Sequence, residues 1–121
     1  MKKLLTFTAL AEAATGLALM VVPSLVARLL LGAEFSGVAV VVGRVAGIAL
    51  LSLGIACWPG RDTTGNKLPA LWGMLTYNSL ATLIFFYLIL GGQFVGPLLW
   101  PAALLHGGLA VWCVACVRRG R

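Results

Sequence analysis

Residues 36–58 read SGVAVVVGRVAGIALLSLGIACW, with a single charged side chain, Arg44, in their midst. A run of this length and apolarity matches the ~20 residues that carry a helix across a ~30 Å hydrocarbon core. Working outward, three more such stretches appear, at residues 4–22, 68–90 and 97–117. None alternates apolar with polar, as a barrel wall must, and an open sheet would leave its edge groups unpaired in lipid. The expected fold is therefore an all-α integral membrane four-helix bundle with short loops, a single four-span domain over residues 1–121.

Composition agrees. The chain is 61% hydrophobic and only 10% charged, against about 45–50% and about 25% in ordinary soluble domains. So few charges cannot cover the surface of a small soluble domain. The net charge of +6 is not a nucleic-acid footprint, because most of it flanks the apolar runs as membrane topology requires. With the N-terminus inside, Lys2, Lys3, Arg61, Lys67, Arg118, Arg119 and Arg121 are cytoplasmic and only Arg28 lies near the outer face. This bias predicts a multi-pass protein of the bacterial inner membrane with both termini cytoplasmic. Trp58, Trp72 and Trp112 then fall near the inner interface and Trp100 near the outer one. Cleavage of a signal peptide is not expected. Glu12 breaks the apolar core of the first segment early, and removal would leave an odd number of spans.

The breaks are readable too. Pro23 ends or kinks the first helix. Residues 23–31 read as a short interfacial helix closed by Gly32, the alternative being one long kinked helix over residues 4–31. Residues 59–67 form a polar loop, and Gly91-Gly92-Gln93 with Gly96-Pro97 forms a tight turn. Gly43, Gly47 and Gly54 lie in the second span. They offer a stripe for close helix packing, against the first or fourth span of the same chain or against a second copy. Cys57, Cys113 and Cys116 lack a fourth ligand and read as small apolar fillers, with no metal site. A lone His106 offers only one axial ligand to haem, and no cofactor is expected.

The candidate functional residues are the polar ones inside the spans. At ~1.5 Å per residue, Glu12 lies ~12 Å from the inner end of its span and Arg44 ~12 Å from the outer end of its own. Asn78 lies ~15 Å and His106 ~14 Å from theirs. Each span thus brings one strongly polar side chain to about the same level, with Thr76, Tyr77 and Ser79 around Asn78. An isolated charge at this depth costs at least ~2.5–3.5 kcal/mol, so Glu12 and Arg44 are expected to form an ion pair. The layer either fixes helix register or heads an inter-helical pocket bounded by Glu12, Arg44, Tyr77, Asn78 and His106.

The order Gly16-Leu17-Ala18-Leu19, Pro23, Leu29-Leu30-Leu31-Gly32, Arg44-Val45-Ala46-Gly47-Ile48 and Leu53-Gly54-Ile55 resembles small bacterial four-helix membrane proteins of the DoxX-like kind, over about the first half of the chain. The resemblance implies a compact four-helix bundle, in some members a membrane subunit beside a redox enzyme, and carries over no catalytic residues. Three functions compete. The first is a protein that binds an apolar ligand, lipid or quinone-like, between its helices, or serves as accessory subunit of a larger membrane complex. The second is a small proton-coupled transporter working as a dimer, although Arg44 would hold Glu12 charged. The third is a membrane enzyme on a lipid-like substrate, with Glu12 and His106 as acid and base. No nucleophile or metal motif supports this last reading, so a non-enzymatic protein is favoured.

Overall fold

The computed structural model describes residues 1–59 and 65–120. The sequence readings that involve residues 60–64 and 121, including the cations Arg61 and Arg121, lie outside the described residues. The chain forms α1 (Lys2–Val21), α2 (Pro23–Leu31), α3 (Val38–Ala56), α4 (Leu68–Gly91) and α5 (Leu99–Arg119). All but α2 are long and apolar enough to cross a membrane, so this is a multi-pass, all-helical membrane protein. Large apolar side chains such as Val41, Val45, Leu83, Leu104 and Val111 point outward. That suits a hydrocarbon solvent, where helices meet their backbone hydrogen bonds internally.

The helix boundaries have local causes. The backbone leaves the helical region at Val22 (φ −132°, ψ 59°), and Pro23 then starts α2, where a missing N–H costs nothing. Gly32 closes α2 in the left-handed region at φ 70°, and Gly92 closes α4 at φ 66°. The first two spans are therefore separated by a distinct short helix, not joined in one kinked rod. The end of α2 is stitched to the α4–α5 turn. Val95 N–H donates to the Leu31 carbonyl at 3.1 Å and Leu98 N–H to the Leu29 carbonyl at 2.8 Å. Two carbonyls that a helix C-terminus would leave without partners are thereby satisfied.

The helices pack in two pairs, α1 with α3 and α4 with α5. Glycine sets the first pair. A Cβ on Gly16 would stand 2.6 Å from the Gly47 carbonyl oxygen, and one on Gly54 would stand 2.7 Å from the Ala9 carbonyl oxygen. Backbones approach this closely only without side chains between them. Gly47 and Gly54 thus serve contact within the chain, while Gly43 faces the Phe35 ring and Pro23. The other side of α1 turns Leu4, Leu5, Thr8 and Glu12 inward. At the end bearing Lys2, Leu4 and Leu5 join Leu71, Met74, Leu109, Cys113, Cys116 and Val117 in the main core. The three cysteines are buried there as free thiols.

Candidate functional site

At mid-height α1, α4 and α5 are tied by polar side chains. Asn78 is fully buried and Glu12 is 3% exposed. The Asn78 amide orientation follows from its partners. Its Nδ2 donates to the Met74 carbonyl at 2.8 Å, so Oδ1 faces His106 Nδ1 at 2.8 Å. An amide oxygen only accepts, so His106 Nδ1 carries the proton of this bond. Tyr77 is the next residue on α4, about 100° round the helix from Asn78, and so addresses a different neighbour. Its side chain lies beside the Glu12 carboxyl on α1. The Tyr77 and Phe85 rings flank the His106 ring at centroid distances of 5.5 and 5.4 Å. Thr82 donates to the Asn78 carbonyl at 2.7 Å. Glu12, Tyr77, Asn78 and His106 therefore form one layer, as the sequence reading places them.

Arg44 does not join it, and the expected Glu12–Arg44 ion pair is not formed. Arg44 is exposed on the flank of α3. The ion pair among the described residues is Arg28–Glu34, at the α2 end. The register of the glycine contacts explains the difference. With Gly16 against Gly47 and Ala9 against Gly54, Glu12 comes level with Leu51 and Arg44 with Leu19. The two charges are then about 10 Å apart along the helix axis. Depth counted from the ends of apolar runs missed this, because it assumed that antiparallel spans share both boundaries. Glu12 faces Tyr77 instead. The signal for that lay in the sequence, since Tyr77 precedes Asn78 at the same depth.

Two grooves lie away from the layer. One apolar groove of about 200 Å³ runs between α1 and α3, lined by Ala9, Leu10, Ala13, Gly54, Ile55 and Trp58. A second of about 270 Å³ lies nearer the basic end, with Leu5, Cys57, Trp58, Pro59, Lys67 and Pro69 in its walls. Both share Trp58. Neither is lined by Glu12, Arg44, Tyr77, Asn78 or His106, so these grooves are not the pocket expected at mid-height. Sequence reasoning noted Trp58 and Lys67 only as interfacial markers. What it lacked was the close α1–α3 approach at Gly54, which leaves a furrow floored by small residues.

Chemically, the layer joins α4 to α5 and presents one imidazole ring, half-buried between two aromatic rings. Glu12 and His106 have separate partners, with Tyr77 between them, which does not favour a concerted acid–base pair. The grooves, in contrast, offer apolar walls beside a cation. Compared with known proteins, the chain matches no family model, no curated protein and no solved structure.

Proposed function

We propose that the protein resides in the bacterial inner membrane with both termini cytoplasmic and binds a lipid-like amphiphile in the furrow beside Trp58. The observation that carries this reading is that two grooves share the Trp58 side chain in their walls. One is apolar and lies among spanning helices, and the next opens at the end that carries Lys67. A site that takes an apolar body and orients it through few polar contacts has this form. The orientation rests on the distribution of Lys and Arg, and the four-helix architecture fits the DoxX-like resemblance of the first half. Native mass spectrometry from mild detergent tests the reading. A retained lipid or quinone-sized adduct is expected on the wild-type chain and a weaker one on Trp58→Ala. A bare wild-type chain would overturn it.

A second reading, as accessory subunit of a membrane complex, is favoured by Arg44. Its guanidinium faces outward about 9 Å along α3 from Val38, and no ion pair holds it among the described residues. A second copy offers no accessible, unpaired carboxylate among the described residues, since Glu12 is buried and Glu34 is paired with Arg28. A membrane helix bearing an Asp or Glu would pair with it. Arg44→Gln should then release a co-purifying subunit that Arg44→Lys retains, and retention by both would refute this docking.

A further inference from the structure

We propose that the head of the bound amphiphile is an anionic phosphate, supplied by a phospholipid of the leaflet at the basic end. This rests on the furrow being an amphiphile site and goes beyond it by naming the headgroup and its recognition.

Cationic side chains gather at one end of the bundle. α1 begins at this end and α5 finishes there, and a Cβ on Gly120 would touch the Met1 side chain. The described charged side chains here are Lys2, Lys3, Lys67, Arg118 and Arg119, all cationic. Of the described carboxylates, Glu12 is buried at mid-height and Glu34 lies at the opposite end. Lys67 lines the second groove, is half-buried and has no ion pair among the described residues. It also stands at the N-cap of α4, where the helix dipole adds positive potential. Basic pockets between spanning helices on the cytoplasmic side are suited to anionic lipid heads.

The source of the phosphate follows from the shape. From Trp58 the apolar groove climbs past Ala9 to Ala13, about 12 Å of α1 above Leu5. Its floor is made by Gly54 and two alanines, and Leu10 and Ile55 form its edges. A free phosphate would leave this furrow unused, whereas a phospholipid fills both parts at once. The tail lies along α1 and α3, the Trp58 ring packs near the glycerol level, and the phosphate meets Lys67. A zwitterionic head would bring its own cation against Lys2, Lys3 and Arg118, which like-charge repulsion opposes.

The test uses the full chain in vesicles of brominated phosphatidylglycerol or brominated phosphatidylcholine and reads tryptophan quenching. Subtracting the Trp58→Phe signal isolates Trp58 from the other tryptophans. Stronger Trp58 quenching by the anionic lipid is expected. Lys67→Gln should weaken that preference about fivefold, the worth of one cation at an anionic surface, and Lys67→Arg should keep it. Thermal unfolding confirms that both variants fold. Equal quenching by the two lipids would overturn the anionic head while leaving an amphiphile site in place. No quenching of Trp58 by either lipid would remove both readings. Displacement of the brominated lipid by inorganic phosphate alone would show that the site takes the free ion, and would overturn the phospholipid assignment.

Discussion

Breaking the Asn78–His106 contact measures whether the mid-height layer holds the helices together. His106→Leu removes the Nδ1–H donor and leaves Asn78 Oδ1, on a fully buried residue, facing an alkyl group. A buried acceptor left in this state costs about 1–3 kcal/mol. Leucine keeps apolar contact with Tyr77 and Phe85, so most of the loss reports on the hydrogen bond. Asn78→Leu alone strands the imidazole donor in the same way. The double change removes both partners and should cost less than the sum of the single changes. Interhelical bonds measured in membrane bundles average about 0.6 and reach about 1.7 kcal/mol, and the coupling should fall in that interval. Unfolding in detergent, followed by tryptophan fluorescence, gives the four free energies of the cycle. A coupling of zero would refute the bond that the 2.8 Å separation implies. The same variants carry a functional control. The grooves share no residue with the layer, so lipid retention should be unchanged in every folded member of the cycle. Loss of retention at unchanged stability would instead make His106 part of the ligand site.

Three further outcomes follow from the packing. Gly47→Ala places a methyl group 2.6 Å from the Gly16 carbonyl oxygen, an overpacking worth about 1–3 kcal/mol, against a helix-propensity gain of at most about 1 kcal/mol. Gly108→Ala meets nothing within 4 Å and should stabilise; equal melting temperatures for the two variants would contradict the α1–α3 contact. Glu12→Gln keeps a polar group beside Tyr77 and should be tolerated, whereas Glu12→Leu sets an alkyl group beside the Tyr77 hydroxyl and should lower stability by about 1–3 kcal/mol in a detergent melt. Glu12→Gln and Arg44→Gln should add within about 0.5 kcal/mol, as distant sites do, and mutual rescue in the double variant would restore the ion pair that the register denies.

How much of this was legible depends on which distances the sequence encodes. Span positions were readable because hydrocarbon thickness sets helix length, and α4, at Leu68–Gly91, begins where the apolar run begins. The end of α2 was readable because only glycine takes the φ of 70° at Gly32 without strain. Glu12, Asn78 and His106 share a level because each lies near the middle of its own span. Arg44 failed the same test. Its height relative to Glu12 depends on how far α3 slides along α1, and the contacts of Gly16 and Gly54 fix that slide. Composition marks those glycines as a packing stripe but does not say which partner residue each meets.

The same slide accounts for where the open space lies. Setting Gly54 against Ala9 and Ala13 brings two backbones together over the half of the span nearest the basic end. Small residues on both sides then leave the larger Leu10, Ile55 and Trp58 to stand as walls of a furrow. At mid-height Glu12 on α1 also faces Tyr77 on α4, while Asn78 and His106 join α4 to α5. Asn78 and His106 tie α4 to α5 where they pair, and beside the close contact at Gly54 the small side chains of Ala9 and Ala13 leave a groove. On this division the layer of Glu12, Tyr77, Asn78 and His106 works for the fold, and the proposed ligand site is that of Trp58 and Lys67. The two roles separate in one comparison: a folded Trp58→Ala chain should lose its lipid yet unfold with the same Asn78–His106 coupling as the wild type. If removing the Trp58 ring lowers that coupling, the furrow and the layer are one mechanical unit and the division fails.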